Sequence, residues 1–238
     1  MIKHLLLVFF GMLIAVQAQT EPRVVRVFVA LADNEHQSIA KVPAKIGNGD
    51  DAAGNLYWGC TDGLKSVFGR SKAWKLEQTE VNPTAQILER RTFRHVSKHC
   101  LLVAEAWRGR EIHACLDAYF TCLRERRAAL TAFIGHNGLM DAPVSVSAPA
   151  ADAPEADALA FCCISRSFFT PHFQTLRIRP VVMTEQLMYP GAFLLRDVLE
   201  VWLRGGSRAE MRQAAARAYA ENQRISVKAA SGVFSRLE

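Results

Sequence analysis

An α/β fold, with a mostly parallel sheet sandwiched between helices, is predicted by three observations. Apolar runs of strand length alternate along the chain with amphipathic patterns of helical period. Two of those runs, 100–107 and 157–163, are apolar at nearly every position rather than every second one, as expected of strands covered on both faces. Residues 19–238, about 220 positions without an internal repeat, have the length of one large domain.

The N-terminus reads as a cleavable export signal. A short basic start with Lys3 and His4 precedes the apolar run 5–16, and Val16-Gln17-Ala18 places short side chains where a signal peptidase reads. The run is too short for a membrane span, which takes roughly 20 apolar residues. The mature chain is therefore expected to start near Gln19 and to work in the periplasm or outside the cell. No later segment is long and apolar enough to cross a bilayer.

The first strand is expected at 24–31, ending at Ala32-Asp33-Asn34. A loop rich in Gly, Asn and Asp occupies 46–55, and 56–68 reads as a helix. Weaker strand signals lie at 74–76 and 86–93. The run 100–107 is a buried strand with Arg108-Gly109 as its turn. An amphipathic helix covers 111–126, with Ile112, Cys115, Leu116, Tyr119 and Phe120 on one side. The next strand, 128–135, ends at His136-Asn137-Gly138. After a loop of small and polar residues over 141–157, another buried strand runs to Cys163. A further strand is expected at 181–183, then helices at 191–203 and 207–222 and a last short helical stretch.

The formal charge of +6 falls to +5 once Lys3 is removed with the signal. The basic residues are scattered and lack the aromatic ladder of a single-strand binder, so nucleic acid is not an expected partner, whereas attraction to acidic surfaces stays open. The six cysteines, Cys60, Cys100, Cys115, Cys122, Cys162 and Cys163, do not form a disulfide framework by spacing. Cys115 and Cys122 lie two helical turns apart, about 10 Å, which is beyond bridging distance. Cys162 and Cys163, as neighbours in an extended segment, are expected to point to opposite faces.

In a sheet of this kind the ligand site lies beyond the carboxyl ends of the strands. The residues there are Asp33 and Asn34, Trp107 and Arg108, His136, and Cys163 with Ser165. A Cys and a His are the smallest machinery for acyl transfer: the imidazole takes the thiol proton, the thiolate attacks a carbonyl, and the His returns the proton to the leaving group. Cys163 is the expected nucleophile and His136 the base, with the amides of Gly138 and Cys163 as oxyanion donors.

Two segments carry a resemblance. Ala132-Phe133-Ile134-Gly135-His136-Asn137-Gly138 is an apolar strand ending in His, and Ala158-Leu159-Ala160-Phe161-Cys162-Cys163-Ile164-Ser165-Arg166 is the next strand, ending in Cys. Over residues 24–183 the chain resembles the caspase-like cysteine peptidases of clan CD, in which a strand ends in a catalytic His followed by Gly and the next ends in the nucleophile. The resemblance implies a caspase-like three-layer domain over 19–238, Cys163 as nucleophile, and a peptide or protein substrate without a cofactor. The chain departs from the pattern at Asn137, which stands where the family has Gly. Asp33, Arg108, Ser165 and Glu185 are the candidates for reading a substrate side chain, and the sequence does not choose among them.

Other constellations carry less. His95 and His99 have a metal-binding spacing but, apart from Cys100, lack an acidic or Cys partner at matching spacing, so no metal is expected. Residues 47–51 offer calcium-type oxygens without the closing Glu. A serine hydrolase would need a Gly-x-Ser-x-Gly elbow, which is absent. The competing function is a non-catalytic exported α/β protein, or an inactive caspase-like homologue, that binds a small molecule or peptide in the strand-end crevice. The oligomeric state is not legible.

Overall fold

The computed structural model describes residues 21–237. The expected export signal and its cleavage point near Gln19 lie outside the described residues. The fold has seven strands, β1 (Arg23–Ala30), β2 (Trp74–Val81), β3 (Ile87–His95), β4 (Cys100–Trp107), β5 (Leu130–Ile134), β6 (Ala156–Phe161) and β7 (Ile178–Val182). They form one sheet in the order β2-β3-β4-β1-β5-β6-β7. From β4 to β7 every pairing is parallel, whereas β2, β3 and β4 pair antiparallel.

Alternation along β1 assigns the layers. Val25, Val27 and Val29 point to the face covered by α1 (Leu64–Gly69), α4 (Ala192–Leu203) and α5 (Arg208–Gln223). Phe28 and Ala30 point to the face covered by α2 (Ile112–Arg124) and α3 (Ser165–Leu176). With both faces buried, β5 and β6 are apolar nearly throughout and fully buried. The short α6 (Val227–Ser231) packs on α5. Among the described residues no helix is long and apolar enough to cross a membrane.

Three expectations are corrected. The helix expected over 56–68 shrinks to α1, because Asn55 folds the preceding segment into turns. Its Oδ1 accepts the N–H groups of Ala32 and Tyr57, while its Nδ2 donates to the carbonyls of Ala32 and Asn48. Gly59 is packed so closely that a Cβ there would lie 1.8 Å from the Ala53 carbonyl oxygen. Second, the strand expected to reach Cys163 ends at Phe161, so Cys162 and Cys163 occupy a turn rather than extended backbone.

Third, α3 was not expected at all. Its Thr residues and the internal Pro171 weaken the helical signal, although Phe169, Phe173 and Leu176 recur at helical spacing and are buried.

Candidate functional site

The parallel strands end along one edge of the sheet, and β5 and β6 end side by side there. Ile134 pairs with Phe161 and the N–H of Gly135 still donates to the Phe161 carbonyl at 3.3 Å. His136 and Cys163 therefore each stand two residues past a paired position. Gly135 is required where it is: its φ of +151° disfavours a side chain, and a Cβ would lie 2.8 Å from the Ala30 carbonyl oxygen.

The His136 ring is buried, and its Nε2 lies 2.8 Å from Asp141 Oδ2. A carboxylate oxygen accepts here, so Nε2 carries a hydrogen, and in the neutral ring Nδ1 is then the nitrogen with the lone pair. Asp141 comes within reach because residues 138–140 form a tight 3₁₀ turn. That turn is capped by Asn137, whose Oδ1 accepts the Leu139 N–H at 3.2 Å. The other end of the same fully buried side chain donates from Nδ2 to the Cys163 carbonyl at 2.7 Å. Asn137 thus adds a side-chain bond between the two strand ends, beside the backbone bond from Gly135 to Phe161.

On the other strand, Cys162 is fully buried and its carbonyl accepts Thr184 Oγ1 at 2.5 Å. Cys163 is half-buried. Its sulfur is 3.6 Å from the Met188 carbonyl oxygen as donor and 3.4 Å from the Met188 N–H as acceptor. His136 and Cys163 are not hydrogen-bonded to each other. Ile164 follows with φ 50° and ψ 39°, a left-handed conformation in which a β-branched residue is an outlier. It is held there by the Asn137 bond on one side and by its own N–H to the Gln186 carbonyl at 3.1 Å on the other. Backbone strain of this sort, kept by surrounding bonds, concentrates at functional sites. It also turns the chain sharply from β6 into α3, leaving Cys163 just before the positive end of a helix dipole.

The six cysteines are all free thiols. Burial pushes Cys100 up to about 11 and drives Cys115 and Cys162 well above the ordinary thiol value. Cys122 and Cys60 are raised too, again chiefly by burial. All five are therefore protonated at neutral pH. Beside the Cys162–Cys163 turn sits Tyr57, whose phenol is pushed far up by burial first and then by the fields of Cys163 and Cys162. It is a neutral hydroxyl over the whole physiological range.

The residues nominated from sequence have separate fates. The Gly138 N–H donates to the His136 carbonyl at 3.1 Å and is used up in the turn, which leaves it unavailable to an oxyanion. No turn, cap or side-chain acceptor among the described residues takes the Cys163 N–H. Ser165 is fully buried, its hydroxyl accepting the Thr184 N–H at 2.9 Å, so it braces the turn rather than facing a ligand. Asp33 is also buried and accepts the N–H groups of Glu35 and His36. Arg108 bonds to the Ala85 carbonyl and to Asp50, and Glu185 accepts from Arg166 at 2.6 Å.

Sequence reading missed Asn137 as a tie, Asp141, Met188 and Tyr57. Asp141 alone had a local signal, as a carboxylate five residues after His136 in a turn-forming stretch. His95 is buried at the end of β3, its Nδ1 accepting the N–H groups of Ser97 and Lys98. Among the described residues no group of three His, Cys, Asp or Glu side chains can hold a metal ion. The chain matches no protein-family model, no curated protein and no solved structure.

Proposed function

We propose that the protein is an exported, caspase-like cysteine peptidase with Cys163 as nucleophile and His136 as base. The observation that carries this reading is the joining of the two strand ends: equal register past Ile134 and Phe161, and the Asn137 bond to the Cys163 carbonyl. In the reaction, His136 Nδ1 takes the Cys163 thiol proton and the sulfur attacks the scissile carbonyl carbon. The Cys163 N–H faces the oxyanion that forms. Collapse breaks the C–N bond, and the departing amine takes the proton from Nδ1. Water, deprotonated by the same nitrogen, then hydrolyses the thioester. Asp141 holds the ring in the tautomer that this needs and stabilises the imidazolium between steps.

A second reading rests on a specific observation: the resting sulfur is bonded to Met188 and not to His136. That is the arrangement of a crevice that binds without reacting. As a peptidase, the protein must release the sulfur from Met188 when a substrate settles, a tightening common where the unliganded geometry is loose.

Iodoacetamide labelling near neutral pH separates the two, with the modified thiols mapped by mass spectrometry. Cys163 should be modified fast and alone, while Cys60, Cys100, Cys115, Cys122 and Cys162 stay unmodified until the pH rises above the ordinary thiol range. Cys162→Ala should leave this labelling intact and Cys163→Ala should remove it. Slow labelling of Cys163, or labelling that follows Cys162, favours the binding reading.

A further inference from the structure

A cationic face lies beside the candidate site and does not depend on its chemistry. An open cavity of about 660 Å³ is lined by Arg166, Glu185, Arg212, Lys228, Phe234 and Arg236, among others. A second hollow of about 360 Å³ shares Arg212 and Arg236 with it and adds Arg208 over Val181, Ala209 and Leu237. Five cations thus meet one carboxylate, and that carboxylate, Glu185, is already paired with Arg166. Arg208, Lys228 and Arg236 have no ion-pair partner among the described residues. Arg212 is held in place by neutral groups, donating to the carbonyls of Phe234 and Ser231. Much of the chain's formal excess of +6 is therefore gathered on this face.

We infer that this double hollow is a docking site for an extended acidic peptide segment. Charge complementarity requires an anion, and the layout selects which kind. The cations come from α3, α5, α6 and the C-terminal stretch, and they are spread over two adjoining hollows rather than converging on one point as a cradle for a single phosphate would. Between them the floor is apolar, with Phe234, Val181, Ala209 and Leu237, and suits alternate side chains of an extended strand. Short stretches of chain join the face to the strand-end site. Arg166 lies three residues beyond Cys163, and Glu185 begins the short segment whose Met188 holds the Cys163 sulfur. An acidic segment seated here would lie next to the site, where it would select partners by charge.

The test is a fluorescence-anisotropy titration of the full chain with a labelled eight-residue peptide alternating Glu and Leu. Binding is expected, weakening as salt is raised. A Lys-Leu peptide of the same pattern should not bind. The double charge reversal Lys228→Glu/Arg236→Glu, at exposed side chains, should weaken affinity about tenfold or more. Lys75→Glu on the opposite edge strand should leave it unchanged. Inorganic tripolyphosphate competing as well as the peptide itself would make this a phosphate site and overturn the inference. So would binding to phosphatidylglycerol vesicles without peptide binding, or indifference to the double reversal. None of these outcomes touches the labelling of Cys163, so this inference and the peptidase reading can fail separately.

Discussion

At the scale of single residues, the site depends on two side chains that sequence reading gave no role. Asp141 sets the tautomer of His136, so Asp141→Asn should lower kcat about a hundredfold while the protein stays folded. A folded Asp141→Asn variant with unchanged kcat would remove Asp141 from the account.

Asn137 does two jobs, capping the 3₁₀ turn and holding the Cys163 carbonyl. Asn137→Ser keeps a capping oxygen but cannot reach that carbonyl. If the tie matters, Asn137→Ser should stay folded, losing about 1–3 kcal/mol of stability for the unpaired Cys163 carbonyl, and should lose kcat with little change in KM. Full activity in this variant would leave Asn137 as a cap only. His136 and Cys163 were legible because a strand-end His and Cys stand out chemically. Asn137 was not, since its second bond spans 26 residues of chain and exists only once β5 and β6 have paired.

At the scale of elements, the strands were the most legible part. The runs 100–107 and 157–163 announce buried strands through unbroken apolar sequence, and β4 and β6 lie there. What could not be read was where β6 stops. Nothing local ends the apolar pattern at Phe161. The turn is imposed by Thr184 and Ser165 bonding across it and by the Gln186 carbonyl holding the Ile164 N–H. The left-handed Ile164 is the cost of that turn, on the order of 1–2 kcal/mol. Ile164→Gly should relieve it and raise stability by about 1 kcal/mol in denaturant unfolding, the reverse of the usual effect of replacing a large apolar residue with Gly. A loss of stability would mean that packing of the Ile164 side chain outweighs the strain. The helix expected at 56–68 failed for a related reason: Asn55 bonds to Ala32, 23 residues away, and such a contact leaves no periodic trace.

At the scale of the whole molecule, the three-layer α/β architecture follows from covering both faces of one sheet. The residues of β1 divide between the two cores by simple alternation. The same parallel arrangement brings the carboxyl ends of β1, β4, β5, β6 and β7 to one edge, so the fold itself selects the place where chemistry is sought. Fold class was readable from alternation alone, and the position of the site followed from it. The wiring of the site was not readable, because each of its bonds joins segments that meet only in the folded sheet.

The central claim, that Cys163 and His136 hydrolyse peptide bonds together, is tested most directly by incubating residues 19–238 with a diverse peptide mixture and identifying new termini by mass spectrometry. The wild-type protein should produce a consistent set of cleavages at neutral pH. Cys163→Ala and His136→Ala should each produce none, while Cys162→Ala retains the set. Cleavage that survives in Cys163→Ala, or a folded wild-type protein that cleaves nothing in the mixture, would contradict the account.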